Sequence, residues 1–328
     1  MTSKKILIVK FSALGDITFS TVIPMVIKKC NPDVQIHYLT SEVNKSILEN
    51  CTYIDKILTP QEPFSNFILQ LFKERYDVVF CLNYTIRCFM YSLLSLPKRI
   101  IFKSNKGVSW VENYFYTAKS LFKDVVLPDR LYLQNSDINV ENNLEQKLNN
   151  YKRPFVVINP GKLNGNARQG RIWDINNWIS LKSRILAKYG GTVLVNGSLS
   201  ERDYHLPLEG ENTIVLSGKL SIKEMCAMLS MSDLVISGDS GPVHIASAYN
   251  IKTLSLLGST SPDKIKPYGK NGYYISPNSS CKFCWRKKCK FLKDRYAYAP
   301  CINSITVDEV MEKISKLGLI KENQNNQL

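Results

Sequence analysis

The stretch LVISGDSGPVHIASAYNIKTLSLLGSTSPDKIKPYG, from residue 234 to residue 269, decides the fold. An apolar run typical of a strand, residues 234–236, ends in a polar turn with two glycines, and apolar residues at helical spacing follow at once. A helix that begins straight after such a turn directs free backbone N–H groups and a partial positive charge forward. The pattern therefore predicts a diphosphate-binding turn at Ser240 and Gly241, and an ordinary capped helix remains the alternative.

Strand-like and helix-like stretches alternate along the rest of the chain. This order predicts an α/β fold with two Rossmann-like, doubly wound parallel sheets. A polar, asparagine-rich segment, residues 133–153, separates the two series of elements, so we predict domains at residues 1–150 and 151–328. Ligands bind at the carboxyl ends of the strands in such sheets, and we expect the two domains to face each other across a cleft.

Charge is distributed unevenly over the 328 residues. The formal net charge is +15, of which residues 1–150 carry +4 and residues 151–328 carry +11. An anionic partner that contacts the second half fits this distribution, whether it is a phosphorylated small molecule, an anionic membrane surface or a nucleic acid. We expect a soluble cytoplasmic protein, because the sequence has no long apolar run and no secretory signal at its N-terminus.

Four blocks of sequence carry a resemblance to a known family. They are ILIVKFSALGDITFSTVIP at residues 6–24, INPG with RIWDINNW at residues 158–178, NGSLSERD at residues 196–203, and SGDSGPVHIASAYN with LLGSTSPDKIKPYG at residues 237–269. In this order and spacing they resemble the ADP-heptose:lipopolysaccharide heptosyltransferases, which are inverting glycosyltransferases of the two-domain GT-B fold. The resemblance spans nearly the whole chain.

The resemblance implies a role for individual residues. Asp16 would be the general base that removes the proton from the acceptor hydroxyl. An N-cap of a helix that starts at Ile17 is the structural alternative for this aspartate. The second domain would bind the donor through Lys162, Arg171, Glu201, Asp239, Ser240, Gly241 and His244.

Four of the nine cysteines lie within 21 residues, in a basic insertion at about residues 278–302. Their spacing, Cys281-x2-Cys284-x4-Cys289-x11-Cys301, suits a structural zinc or iron ion bound by four thiolates. Reduced cysteines without a metal are the alternative, because the spacing departs from common zinc ribbons. Some members of the resembled family have a comparable cysteine-bearing loop, and an iron-bound form occurs among relatives that modify proteins.

Residues 281–295 within this insertion carry seven basic side chains and one acidic one, interleaved with three aromatic residues. Such a segment suits the phosphates of a lipid headgroup and would hold the protein to an anionic membrane. It also suits a single-stranded nucleic acid, which makes a metal-stabilised nucleic-acid-binding protein the alternative outside enzymes. We regard that alternative as the weaker one, because it leaves the turns at Asp16 and Ser240 unexplained.

The sequence thus predicts a cytoplasmic, membrane-peripheral glycosyltransferase. The resemblance implies transfer of heptose from ADP-heptose to the phosphorylated inner core of lipopolysaccharide or lipooligosaccharide, with inversion and without a catalytic cofactor. A protein acceptor such as an autotransporter adhesin is the second enzyme hypothesis, because the cysteine segment points in that direction.

Overall fold

The computed structural model describes residues 4–135, 137–163, 168–294 and 296–320. The chain forms two compact units, Met1–Ser136 and Asp137–Leu328. No helix of the described residues is both long and apolar enough to span a membrane.

The first unit is built on a five-stranded sheet in which all strands run parallel, in the order β3-β2-β1-β4-β5. Two neighbouring inner strands, KILIV and VVFC, are buried apart from the first lysine, as their apolar sequences require. The strands are β1 (Lys5–Val9), β2 (Gln35–Leu39), β3 (Lys56–Leu58), β4 (Val78–Cys81) and β5 (Arg99–Phe102), and the helices are α1 (Leu14–Ser20), α2 (Val22–Cys30), α3 (Glu42–Leu48), α4 (Phe64–Glu74), α5 (Ile86–Leu94) and α6 (Trp110–Lys119).

The first helical region differs from the single helix that the pattern predicts from Ile17 onward. Helix α1 begins at Leu14, and a break at Thr21 separates it from α2. Pro24 explains the break, because it has no N–H to donate to the carbonyl of Ser20, and its ring is not compatible with a continuous helix. The Ser20 and Thr21 hydroxyls bond instead to the carbonyls of Ile17 and Thr18.

The second unit repeats the architecture with a six-stranded parallel sheet in the order β11-β10-β9-β6-β7-β8. The predicted doubly wound arrangement is therefore confirmed in both units. Its strands are β6 (Phe155–Asn159), β7 (Thr192–Val195), β8 (Thr213–Val215), β9 (Leu234–Gly238), β10 (Thr253–Leu256) and β11 (Gly272–Ile275), and its helices are α7 (Ile138–Leu148), α8 (Ile175–Tyr189), α9 (Arg202–His205), α10 (Ile222–Met231), α11 (Gly241–Ala248), α12 (Pro262–Ile265), α13 (Pro300–Asn303) and α14 (Val307–Lys316).

The polar segment before β6 contains the helix α7. Asp137 caps this helix through a bond from the Val140 N–H to its carboxylate, and Leu144 and Leu148 form its buried stripe. The helix packs against α10 and therefore belongs to the second unit, which begins at Asp137, earlier than the boundary predicted near Tyr151. The many asparagines make it difficult to recognise, in the sequence, the short apolar stripe that packs α7 against α10.

A buried histidine on β2 makes the stability of the first unit depend on pH. His37 shares a hydrogen bond of 2.9 Å with the Tyr76 hydroxyl, and burial lowers its pKa from 6.5 to about 4 although Glu74 is near. The unfolded chain therefore binds a proton between pH 6.5 and pH 4 that the folded chain does not bind. Stability must fall as the pH decreases through this window.

We expect the free energy of unfolding to be about 2 kcal/mol smaller at pH 5 than at pH 7 because of His37 alone. Urea titrations at the two pH values measure this difference, and His37→Gln should lose correspondingly less stability. An equal loss in the wild type and the variant would mean that His37 is protonated without cost in the folded protein.

Candidate active site

The first candidate site lies at the carboxyl ends of β1 and β4. These are the neighbouring strands at which the order of the sheet reverses, and such a reversal opens a crevice for ligands in doubly wound sheets. The loop after β1 is fixed to the loop after β4 by Asn83, whose side-chain oxygen accepts from the Phe11 N–H at 3.3 Å and whose amide donates to the Ser12 hydroxyl at 2.8 Å.

Asp16 lies in this crevice and is held by two side chains. Lys10, directly after β1, donates to Oδ2 of Asp16 at 2.8 Å, and the Tyr114 hydroxyl on α6 donates to Oδ1 at 2.6 Å. Lys10 also donates to the Tyr114 hydroxyl at 2.5 Å, which closes a three-membered network. The Lys10 side chain is 1% exposed and that of Asp16 is 33% exposed, so the carboxylate is the member of the network that solvent reaches.

The network keeps Asp16 ionised. Burial alone would raise the pKa of this carboxyl, but the charge of Lys10 and the hydrogen bonds from Lys10, Tyr114 and Ser12 outweigh burial and lower the pKa below its ordinary value. Burial also lowers the pKa of Lys10, against the attraction of Asp16. The site thus presents a fixed, ionised carboxylate with one accessible edge.

Asp16 is not the N-cap that the structural alternative requires. Helix α1 begins at Leu14, its N-cap is Ala13, and Asp16 is the third helical residue. A carboxylate in the first turn interacts favourably with the helix dipole, so its charge is stabilised from this side as well.

The second candidate site lies at the corresponding reversal in the other sheet, between β6 and β9. Three strand ends contribute a chain of polar contacts: Asn196 after β7 donates to Asn159 at 2.9 Å, and Asn159 donates to the Ser240 hydroxyl at 3.4 Å. The Ser237 and Ser240 hydroxyls share a bond of 2.6 Å. Ser240 is the N-cap of α11 by backbone position, but its side chain does not cap the helix.

Three predicted donor-binding residues meet beside this turn. Asp239 has a side chain that is only 3% exposed, and its Oδ2 lies 2.9 Å from Nη2 of Arg171. Nε2 of His244, in the first turn of α11, lies 3.6 Å from Oδ1 of Asp239. Burial lowers the pKa of Arg171, whereas the charge of Asp239 raises it. Arg171 remains partly exposed, so its guanidinium bridges a buried carboxylate and the solvent.

A close backbone contact sets the position of Arg171. The carbonyl oxygen of Arg171 would lie 2.3 Å from a Cβ atom at Gly238, the last residue of β9. Gly170 approaches Ser259 in the same way, with 2.4 Å between a hypothetical Cβ and that of the serine. The 3₁₀ turn Gln169–Arg171 therefore packs directly against the ends of the strands. Only glycine at positions 170 and 238 leaves room for this contact.

Lys162 lies in the loop after β6, and Glu201 lies in the 3₁₀ turn after β7. Both side chains already form hydrogen bonds within the protein. Glu201 accepts from the backbone N–H and the hydroxyl of Ser198 at 2.6 and 2.7 Å, in a capping box. Lys162 donates to the carbonyl of Ser200 at 3.3 Å. The ordinary capping role of Glu201 is thus real, and its contact with a donor stays a prediction.

The cysteine-rich insertion is anchored to the same 3₁₀ turn through Gln169, which is 2% exposed. Its side-chain amide donates to the carbonyls of Asp294 and Ala297, and its oxygen accepts from the Cys289 N–H at 2.8 Å. Arg168 donates to the carbonyl of Trp285 at 2.9 Å. The Trp285 ring lies 5.6 Å from the Arg171 guanidinium, so the insertion reaches the second candidate site.

The four cysteines of the insertion line one small cavity of about 30 Å³. Burial and the neighbouring thiols raise the pKa of Cys301 to about 11, which reflects how close Cys281, Cys284 and Cys289 are to it. In the described part of the chain, no three cysteine, histidine or acidic side chains have the geometry of a metal site. The thiols converge without forming a closed coordination shell.

Comparison with known proteins identifies the family to which the chain belongs. The model of glycosyltransferase family 9 (heptosyltransferase) matches residues 60–294, which is most of the chain. The chain belongs to glycosyltransferase family 9. The predicted family and enzyme class are confirmed: this is a heptosyltransferase.

Individual relatives of this family 9 enzyme agree with the assignment. Lipooligosaccharide heptosyltransferase 2 of Campylobacter jejuni is 27% identical over 69% of this chain and 70% of the relative. ADP-heptose lipopolysaccharide heptosyltransferase II of Escherichia coli has the same fold, with a TM-score of 0.77 at 17% identity over 95% of this chain and 98% of that one. The iron-containing dodecameric glycosyltransferase TibC of enterotoxigenic E. coli matches with a TM-score of 0.58 at 15% identity, over 97% and 77%.

Sequence reasoning missed three residues that organise the sites of this heptosyltransferase. Lys10 directly follows a buried strand, and a lysine in that position is a signal for a paired charge. Tyr114 is 98 residues away from Asp16, and no spacing rule connects them. Gln169 lies in a basic loop in which the charged lysine and arginine side chains are the more obvious candidates for ligand contact.

Proposed function

We propose that the protein transfers heptose from ADP-heptose to the inner core of lipopolysaccharide or lipooligosaccharide, with inversion at the anomeric carbon. The observation that carries the proposal is the ionised Asp16 carboxylate, held by Lys10 and Tyr114 at the reversal point of its sheet. Membership in family 9 supports transfer of a heptosyl group, and the likeness to heptosyltransferases of lipooligosaccharide and lipopolysaccharide supports the proposed donor and acceptor class.

In this proposal Asp16 accepts the proton of the acceptor hydroxyl while the hydroxyl oxygen bonds to the anomeric carbon. The bond between that carbon and the diphosphate oxygen breaks, and ADP leaves with the electron pair. A single displacement inverts the configuration. Lys10 and Tyr114 hold the carboxylate in place, and its low pKa keeps it unprotonated at neutral pH.

The leaving diphosphate gains negative charge as the bond breaks, and the second unit offers groups that stabilise it. We assign this role to the Ser240 and Gly241 backbone, the N-terminus of α11, His244 and the Arg171 guanidinium. Asp239 would orient Arg171 and the donor sugar. Lys162 and Glu201 are assigned to the nucleoside side of the donor. No cofactor enters this chemistry.

A protein acceptor is the second candidate, favoured by the cysteine-lined cavity and by the likeness to the iron-containing TibC. A direct competition separates the two. Purified enzyme and ADP-heptose are offered heptose-deficient lipopolysaccharide core and an unmodified autotransporter adhesin, and mass spectrometry measures which one gains a heptose. The proposal requires modification of the lipopolysaccharide core; modification of the adhesin alone would replace that acceptor.

We also propose a structural zinc or iron ion at Cys281, Cys284, Cys289 and Cys301. The four thiols face one cavity, and four thiolates are a donor set that suits either metal. Small adjustments of an exposed loop would close the shell around the ion. Its role would be to fix the insertion beside Arg171.

Removal of this metal has a measurable consequence. We expect about one equivalent of zinc or iron per chain by elemental analysis, and a lower melting temperature after chelation. Cys284→Ser should remove the metal, whereas Cys30→Ser, at another exposed cysteine, should retain it. Protein that is purified without metal from metal-replete cells and is unaffected by chelators would contradict the site.

A further inference from the structure

An apolar stripe runs along the outer side of α5 in the first unit. It consists of Ile86, Phe89, Met90 and Leu93, which recur at helical spacing and are 45–81% exposed. The opposite side of the helix is buried through Cys88, Tyr91 and Ser92. The helix is therefore apolar on both sides, although only one side has a core to cover it.

Aromatic rings extend the stripe across the neighbouring edge of the sheet. Phe102, at the end of the edge strand β5, stacks on Phe89 with 6.4 Å between the ring centroids. It also stacks on Tyr84, at 6.2 Å. All three rings are substantially exposed, and Tyr84 is 67% exposed. We call the four residues of the stripe, together with Tyr84 and Phe102, the α5 face.

A basic groove of about 350 Å³ adjoins the α5 face at Phe102. Lys106, Lys119 and Lys123 line it together with the hydroxyl-bearing Ser104 and Ser120. Lysines beside hydroxyl groups are suitable partners for a phosphate. The groove therefore combines an apolar edge with groups that bind an anionic headgroup.

The chain around the α5 face is predominantly basic. Residues 84–123 contain seven basic side chains and a single acidic one, Glu112. That glutamate is used in the capping box at the start of α6, where it accepts from the Ser109 N–H at 3.0 Å. Arg87, Arg99 and Lys106 are exposed next to the apolar residues. An apolar surface with a basic rim is complementary to an anionic bilayer.

We propose that the α5 face docks the enzyme on an anionic phospholipid bilayer, with the aromatic rings at headgroup level and a lipid phosphate in the lysine groove. A second copy of the chain fits less well, because a two-fold interface would bring the basic rim of one copy against the basic rim of the other. This inference does not depend on the proposed acceptor.

The assignment differs from the segment that the sequence favoured for membrane contact, residues 281–295. In that segment Phe283 and Trp285 are only partly exposed, and their backbone N–H groups bond to the carbonyls of Gly258 and Ser259 at 3.1 and 2.8 Å. Phe291 is exposed, but it has no exposed aromatic partner of the kind seen at Phe102 among the described residues. Residues 281–295 therefore offer lysine side chains to a membrane but little exposed apolar surface.

Flotation with vesicles tests the docking surface. We expect the wild-type protein to bind vesicles of phosphatidylcholine with phosphatidylglycerol and to leave them at high salt. Ile86→Glu should weaken binding about tenfold, because it removes an apolar group and adds a negative charge. Lys119→Glu should weaken it by at least about fivefold.

Ile138→Glu is the matched control, because Ile138 is also exposed and is also the first residue of a capped helix, α7. Glutamate is favourable in the first turn of either helix, so both variants should fold. Normal binding of ADP by each variant would show that the second unit is intact. Three results would overturn the proposal. One is unchanged vesicle binding of Ile86→Glu, and another is binding that depends on neither the lipid charge nor the salt concentration. The third is a wild-type dimer that the Ile86→Glu substitution dissociates.

Discussion

Replacing Asp16 with asparagine is expected to reduce heptosyl transfer by about 1000-fold while donor binding is retained. Asparagine keeps the shape of the side chain and a carbonyl oxygen for the Tyr114 hydroxyl, but it does not accept a proton from the acceptor. General-base catalysis contributes about 100-fold to 10,000-fold to enzymatic rates. Initial rates of ADP release with a saturating acceptor measure the loss.

Lys10→Met separates the base from its support. Methionine fills the buried space of Lys10 without charge, so Asp16 loses the partner that lowers its pKa. Activity should persist at high pH. As the pH decreases, activity should be lost at a higher pH than in the wild type, because protonated Asp16 does not act as a base.

Near-normal turnover of Asp16→Asn, at unchanged folding by circular dichroism, would mean that another group accepts the proton.

Arg171→Met is expected to destabilise the second unit by about 3 kcal/mol and to abolish measurable donor binding. The substitution leaves the Asp239 carboxylate, with a side chain only 3% exposed, without the guanidinium at 2.9 Å. A buried charge that loses its partner costs about 3–5 kcal/mol. Denaturant unfolding measures the first effect, and calorimetric titration with ADP-heptose measures the second.

A double-mutant cycle tests whether the pair itself is responsible. Arg171→Met combined with Asp239→Asn removes both charges, so the double variant should recover part of the stability that the single variant loses. Donor binding should not recover, because the guanidinium is still missing. Additive losses of stability would show that the two side chains do not interact as the structure indicates.

The alternation of apolar runs and helical patterns was sufficient to predict the fold. Strands buried on both faces, such as KILIV in β1 and LVISG in β9, are continuous apolar runs that end in polar turns, and these turns are where parallel sheets bind ligands. The parallel sheets of both units therefore follow from this alternation. Helix α7 escaped prediction because its stripe consists of two leucines among polar residues.

The candidate sites were predictable where a site residue lies in a sequence block that carries the family resemblance. Asp16 and Asp239, which lie in the polar segments after β1 and β9, were identified in this way. Their partners were not, because Tyr114 reaches Asp16 from α6 and Gln169 binds backbone groups more than 100 residues away. The α5 face also escaped prediction, since an apolar helix in a sequence is expected to be buried, and only the structure shows which side is covered.

The decisive experiment is heptose transfer from ADP-heptose to heptose-deficient lipopolysaccharide core, followed by mass spectrometry for the wild type and Asp16→Asn. We expect the core to gain one heptose and an equal amount of ADP to be released in the wild type, with only trace transfer in the variant. No gain of heptose by the core in the wild type, or equal gain in both proteins, would contradict the proposed function.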